Sequence, residues 1–168
     1  YVGGILAVNG ASYNIFENIY VENGSFGARF GSGTEDSKAP SSGDHNTFKN
    51  CVFNNVNSFV RFDKDKAGKN RYAHDNTFKN CTFKSTGVGA RNSRIVLNHD
   101  DGQINNKLIN CIIIDTKEEK SNNNPSGISY TYCNFYNTKF STPSGIGNIS
   151  MNPQFEDAST GNFRLKST

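Results

Sequence analysis

The sequence predicts an all-β protein, a parallel β-helix (a solenoid) of about five coils of roughly 30 residues each. Three observations carry that expectation. Asn46-Thr-Phe-Lys-Asn-Cys-Val-Phe53 recurs as Asn76-Thr-Phe-Lys-Asn-Cys-Thr-Phe83, and the same frame begins at Asn14 and at Asn106, so four copies are separated by 32, 30 and 30 residues. A fixed period in this range is the mark of a solenoid. Within each copy apolar and polar residues alternate, and helical periodicity is absent. Only 34% of residues are hydrophobic and the mean hydropathy is −0.64. That is too little for a thick globular core, but it suffices where each coil buries its apolar face against its neighbours.

Alignment of the copies gives columns. Phe16, Phe48, Phe78 and Leu108 share one position, and Val21, Phe53, Phe83 and Ile113 another. Between them stand Asn18, Asn50, Asn80 and Asn110, each followed by Ile19 or by Cys51, Cys81 or Cys111. Alternation breaks at this asparagine, as if it and the next residue both looked inward. Two short strands meeting at a one-residue corner explain the break, because Asn tolerates the left-handed backbone such a corner needs. Its amide can also bond to the Asn one coil away. A third strand is expected after each corner pair, at Gly27–Phe30, Ser58–Phe62, Ser93–Leu97 and Gly127–Tyr130. The segments Gly31–Asp44, Asp63–Asp75, His99–Asn105 and Thr116–Ser126 read as polar loops. A fifth copy, Tyr130-Thr-Tyr-Cys-Asn-Phe135, has lost the corner Asn, which suggests that the pattern is ending.

Residues 1–168 read as one domain. The first residues, Tyr1 to Val8, already read as an uncapped strand, so the chain is expected to be the C-terminal part of a longer β-helix, with upstream domains as partners. No signal peptide is visible, and no apolar run approaches the roughly 18 residues of a membrane span. Net charge is +3, from 18 Lys and Arg against 15 Asp and Glu. This favours an anionic partner but falls short of a nucleic-acid footprint. Cys51, Cys81 and Cys111, with Cys133 in the fifth copy, read as a buried column of free thiols. Side chains stacked in parallel point alongside one another rather than together.

The Asn-x-Phe-x-Asn-Cys-x-Phe repeats, with the tail Met151-Asn-Pro-Gln-Phe-Glu-Asp-Ala-Ser-Thr-Gly-Asn-Phe-Arg-Leu165, resemble the right-handed parallel β-helix proteins of the pectate-lyase-like and chondroitinase B-like superfamily, in their secreted bacterial form. The resemblance implies a right-handed helix, a secreted or cell-surface location and an acidic polysaccharide as partner. It is weakly specific for activity, since the fold hosts lyases, hydrolases, epimerases and inert stalks.

Arg29, Arg61 and Arg91 each lie fifteen residues after the first Asn of their copy. Flanking apolar residues turn Arg29 and Arg61 outward, where a row of guanidinium groups suits carboxylates or sulfates. The alternative is an ordinary solvated strand face, and placing Ser93–Leu97 as the strand moves Val96 into the column in place of Arg91. After Arg61 comes a basic segment with Lys64, Lys66, Lys69, Arg71, Tyr72 and His74. These residues, with Arg29, Arg61 and Arg91, are the candidate substrate contacts. β-Elimination of a uronic-acid polymer needs a cation to neutralise the carboxylate and a base to take the neighbouring proton. Arg61, Lys64 and His74 are the catalytic candidates for such a polysaccharide lyase. The related lyases use Lys and Arg on the outer face. Arg61 is in the most similar place, but the lysine expected one coil earlier is matched only by Arg29, a poor base. The competing expectation is a non-catalytic structural or carbohydrate-binding module of a larger cell-surface protein. Calcium, which bridges substrate and protein in pectate-lyase relatives, is the candidate cofactor. Asp63 with Asp65, or Asp100 with Asp101, would hold it, though paired Asp in a turn are more often turn formers. No residue is assigned as a metal ligand.

Overall fold

The computed structural model describes residues 6–8, 11–30, 43–62, 73–85, 94–98, 105–120 and 127–167. The chain passes through three sheets in fixed rotation. A first circuit of β1 (Leu6–Val8), β2 (Ile15–Glu17) and β3 (Tyr20–Glu22) is followed by β4 (Phe26–Phe30), β5 (Thr47–Lys49) and β6 (Val52–Val56). Then come β7 (Ser58–Phe62), β8 (Thr77–Lys79) and β9 (Thr82–Ser85), and after them β10 (Arg94–Asn98), β11 (Asn106–Ile109) and β12 (Ile112–Ile114). The last circuit is β13 (Glu118–Lys120), β14 (Ile128–Thr131) and β15 (Asn134–Tyr136). Every third strand joins the same sheet: β1-β4-β7-β10-β13, β2-β5-β8-β11-β14 and β3-β6-β9-β12-β15, all pairs parallel. An antiparallel hairpin of β16 (Phe155–Asp157) and β17 (Asn162–Leu165) follows. Three stacked parallel sheets, with no helix among the described residues, are consistent with a parallel β-helix.

The predicted columns are ladder rungs. Phe16, Phe48, Phe78, Leu108 and Tyr130 are in register across the second sheet. Their rings stack, with centroids 4.8 Å apart for Phe16 and Phe48 and 4.5 Å for Phe48 and Phe78. Phe53 and Phe83 stack likewise across the third sheet at 4.9 Å. The first-sheet residues Phe30 and Phe59 complete the filling, both fully buried. Cys51, Cys81, Cys111 and Cys133 are free and buried. Their thiols point at backbone carbonyls, as Cys111 does at Phe78. Burial pushes the Cys111 thiol well above its ordinary pKa.

Two asparagine columns do different work. Asn46, Asn76 and Asn106 are fully buried. The side-chain amide of Asn46 donates to the Asn76 side-chain oxygen at 3.1 Å, and Asn76 donates to Asn106 at 3.1 Å. The same oxygens accept the backbone N–H groups of Asn46 and Asn76. The corner column is the one that carries the left-handed backbone: φ is 57° at Asn18, 53° at Asn50, 54° at Asn80 and 53° at Asn110. Here the inward expectation is corrected. All four corner side chains are exposed, and only the following residue packs inward. A left-handed residue reverses the side-chain alternation of a strand, so the break in pattern belongs to an outward Asn. Asn110 still donates to Asn80 at 2.9 Å, as expected of the corner amides.

Two other expectations change. The fifth copy keeps its corner, with Tyr132 at φ 55° in place of Asn. Gly127–Tyr130 does not extend the first sheet: Ile128–Thr131 pairs with β11 in the second. The fifth first-sheet strand is β13, inside the segment read as a loop. Its Glu-Glu-Lys composition hides it from hydrophobic patterning, yet charge is what suits an edge strand that must not recruit another chain.

Candidate functional site

The outward faces of the first and second sheets each carry a row of basic residues. In the first sheet Arg29 is in register with Arg61. Ala28, Phe30 and Val60 beside them are fully buried, so both arginines turn outward, each partly exposed. The Arg61 guanidinium carbon lies 4.5 Å from the centre of the Phe26 ring, a cation–π contact that orients the group. Gly27 makes this possible. A Cβ at Gly27 would lie 2.6 Å from Phe53 Cδ1 and 2.6 Å from the Phe59 carbonyl, so Gly27 and Ala28 both face the interior and strict alternation breaks beside Phe26, which meets Arg61. The rung beyond Arg61 is Leu97, not Val96, which sits opposite Val60. Arg91, Lys64, Lys66, Lys69, Arg71 and Tyr72 lie outside the described residues.

The second sheet adds a row that was not singled out as a site. Glu17, Lys49, Lys79 and Ile109 are in register, and Lys107 stands two residues before Ile109. Lys79 and Lys107 are exposed and Lys49 partly so. The signal was in the sequence: Lys49 and Lys79 hold the same place in the two best-matched copies.

The third sheet is partly covered by the C-terminal tail. The Asn134 side chain exchanges two hydrogen bonds with the backbone of Met151, at 2.9 and 3.0 Å. Asn152, Pro153 and Phe155 to Ala158 then form a cleft of about 350 Å³ with Ile114, Asp115 and Tyr136. Further on, Gly161 sits so close to Tyr20 that a Cβ would meet its hydroxyl at 2.6 Å. The tail thus runs back from β15 towards β3. The cleft is acidic, with Asp115, Glu156 and Asp157, but two of these carboxylates serve the fold. Asp115 accepts from the Asn137 amide at 2.6 Å. Asp157 accepts from the Ser159 hydroxyl and from the Ser159 and Thr160 backbones. These hydrogen bonds, the Ser159 hydroxyl foremost, hold the Asp157 carboxyl below its ordinary pKa.

His74 stands at the corner where the chain turns into the second sheet, within a stacked group. Asp44-His45 and His74-Asp75 occupy the same two corner positions on adjacent circuits with their residues exchanged. Asp75 Oδ2 is 2.7 Å from His74 Nδ1 and 3.6 Å from His45 Nε2. Asp44 Oδ2 lies 3.4 Å from His74 Nε2, and Asp44 Oδ1 accepts the His74 backbone N–H at 3.3 Å. The Tyr13 ring stacks on His45 with centroids 4.6 Å apart. His45 and Asp75 hold the left-handed corner, at φ 55° and 57°. The Asp75 carboxyl is held below its ordinary pKa, first by the hydrogen bond from His74 and also by one from Asn105. Both ring nitrogens of His74 face carboxylates.

The carboxylates from which calcium binding was expected, Asp63, Asp65, Asp100 and Asp101, lie outside the described residues. The described His–Asp group suits calcium poorly, since that ion takes about six to eight oxygen ligands and two of the three converging residues are imidazoles. No helix among the described residues is long and apolar enough to cross a membrane. No family model matches the sequence, and no curated protein matches it.

Proposed function

We propose that the chain is a right-handed, five-coil β-helix of the pectate-lyase-like and chondroitinase B-like kind, secreted or held at a cell surface, that binds an acidic polysaccharide across the outward faces of its first and second sheets. One observation carries this reading: like charges stand opposite each other in register, Arg29 with Arg61 and Lys49 with Lys79. Neighbouring strands are about 4.8 Å apart, and like charges directly opposite destabilise a sheet. Such rows of cations match the carboxylates or sulfates repeated along an acidic polymer, and the arginine fork can bind each group through two hydrogen bonds. Elsewhere in the first sheet the register is complementary, with Arg94 opposite Glu118 at 3.4 Å.

These residues support binding over β-elimination. A lyase needs a base beside the neutralised carboxylate, and arginine is a poor one at neutral pH. His74 has carboxylates at both ring nitrogens. Titration calorimetry with polygalacturonate, alginate, chondroitin sulfate and a neutral galactan tests the reading. Binding is expected to the acidic polymers alone, and the Arg29→Ala/Arg61→Ala double variant should weaken it by at least about tenfold, the loss of roughly one charge-assisted hydrogen bond. Equal binding to the galactan, or an unchanged double variant, would contradict it. No binding to any polymer would leave the structural-module reading. Appearance of an ultraviolet-absorbing unsaturated uronate product would restore the lyase.

A further inference from the structure

We infer that His45, His74 and Asp75 form a binding site for a zinc-class divalent metal ion, with Asp44 and Asn105 as its supporting shell. The inference is independent of the polysaccharide reading. One donor atom from each of the three residues lies within 4.8 Å of the others. Ions of this class sit about 2.0–2.1 Å from imidazole nitrogen and carboxylate oxygen, so tetrahedral ligand atoms are about 3.3 Å apart. The distances to Asp75 Oδ2, 2.7 Å from His74 Nδ1 and 3.6 Å from His45 Nε2, bracket that value. Both imidazoles therefore approach one carboxylate oxygen, and an ion would enter by parting His74 from Asp75 and drawing the three donor atoms, now within 4.8 Å of one another, around it.

The surroundings are those a metal site requires. A ligating histidine commonly gives its other N–H to a carboxylate, which fixes the tautomer and turns the ring. With Nδ1 of His74 on the metal, Nε2–H points to Asp44 Oδ2 at 3.4 Å, and the same carboxylate grips the His74 backbone. Asn105 bonds to Asp75, the ligating carboxylate. The Tyr13 ring supports His45 from the opposite side. The sites are reachable, with side-chain exposures of 40% at His45, 36% at His74 and 33% at Asp75, whereas Asp44 is at 13%. Two nitrogens and one oxygen select Zn²⁺, Co²⁺, Ni²⁺ or Cu²⁺ over calcium or magnesium. Three protein ligands leave a position for water or an exogenous anion.

The test is titration of the apo protein with Co²⁺, followed by its visible ligand-field bands, and then displacement by Zn²⁺. We expect saturation at one ion per chain without a sulfur-to-metal charge-transfer band, and a Zn²⁺-dependent rise in melting temperature, since a ligand bound only by the folded state stabilises it. His45→Ala should abolish saturation. Asp44→Asn, which touches no metal, should weaken it by about 10- to 100-fold. Circular dichroism would show that both variants retain the β fold. Absence of saturable Co²⁺ and Zn²⁺ binding overturns the inference. Undiminished binding in His45→Ala does so too, as would thiolate charge transfer, which would put the metal on the cysteines.

Discussion

Asn76 and Asn80 are four residues apart, identical in type, and occupied in opposite ways. Asn76 is fully buried, accepts from the Asn46 backbone and amide, and donates to Asn106 and to the Gly43 carbonyl. Replacing it with Ala leaves several buried groups without partners, each costing about 1–3 kcal/mol. Asn80 is exposed, and Asn80→Ala chiefly forces an alanine into the left-handed region, a cost of about 1–2 kcal/mol. Urea denaturation should therefore rank Asn76→Ala as clearly the more damaging, by about 3 kcal/mol or more against about 1–2 kcal/mol. Equal losses would mean that the inner ladder carries little. Both columns were legible in the repeat, but the direction of the corner side chain was not. Alternation counts residues as if every φ were negative, and a single left-handed residue shifts the count.

At the scale of strands, sequence patterning succeeds where a strand is buried on one face and fails where it is not. The apolar rungs of β5, β8 and β11 follow directly from the repeat, and pairing confirms them. β13 carries no such rung and was read as loop, because an edge strand made of charged residues gives no period to find. β4 shows the complementary case, where one glycine decides which way an aromatic faces. Gly27→Ala would drive a methyl into Phe53 and the Phe59 carbonyl, each 2.6 Å away. Overpacking of this kind costs about 1–3 kcal/mol. It should also disturb Phe26 and hence Arg61, so polymer affinity is expected to fall along with the urea midpoint. A variant that loses neither would show that β4 can shift freely.

Over the whole molecule, the same 30-residue ruler that stacks the interior also aligns the surface. Four thiols share one interior column, and all four cysteines of the chain are buried. Ellman's reagent should find essentially none of them in the native protein and four after denaturation; rapid native labelling would deny the column its burial. Outside, the ruler brings Arg29 to Arg61, Lys49 to Lys79, and Asp44-His45 to His74-Asp75. The arginine alignment was legible from spacing. The His–Asp group is only half legible: His74 closes a basic loop segment in the sequence, but only the rung spacing sets Asp44 and His45 beside it. The sequence motifs locate the rungs, and the outward residues on those rungs have to be judged by which neighbours they meet.

The central claim is that an acidic polymer lies across the first and second sheets and avoids the third. Amide hydrogen–deuterium exchange of the protein with and without polygalacturonate tests it most directly. Added protection is predicted in β4, β5, β7 and β8, around Arg29, Lys49, Arg61 and Lys79, with the tail hairpin and the Tyr20 region unchanged. Protection confined to residues 151–165 and the third sheet, or none despite measurable binding, would contradict the claim.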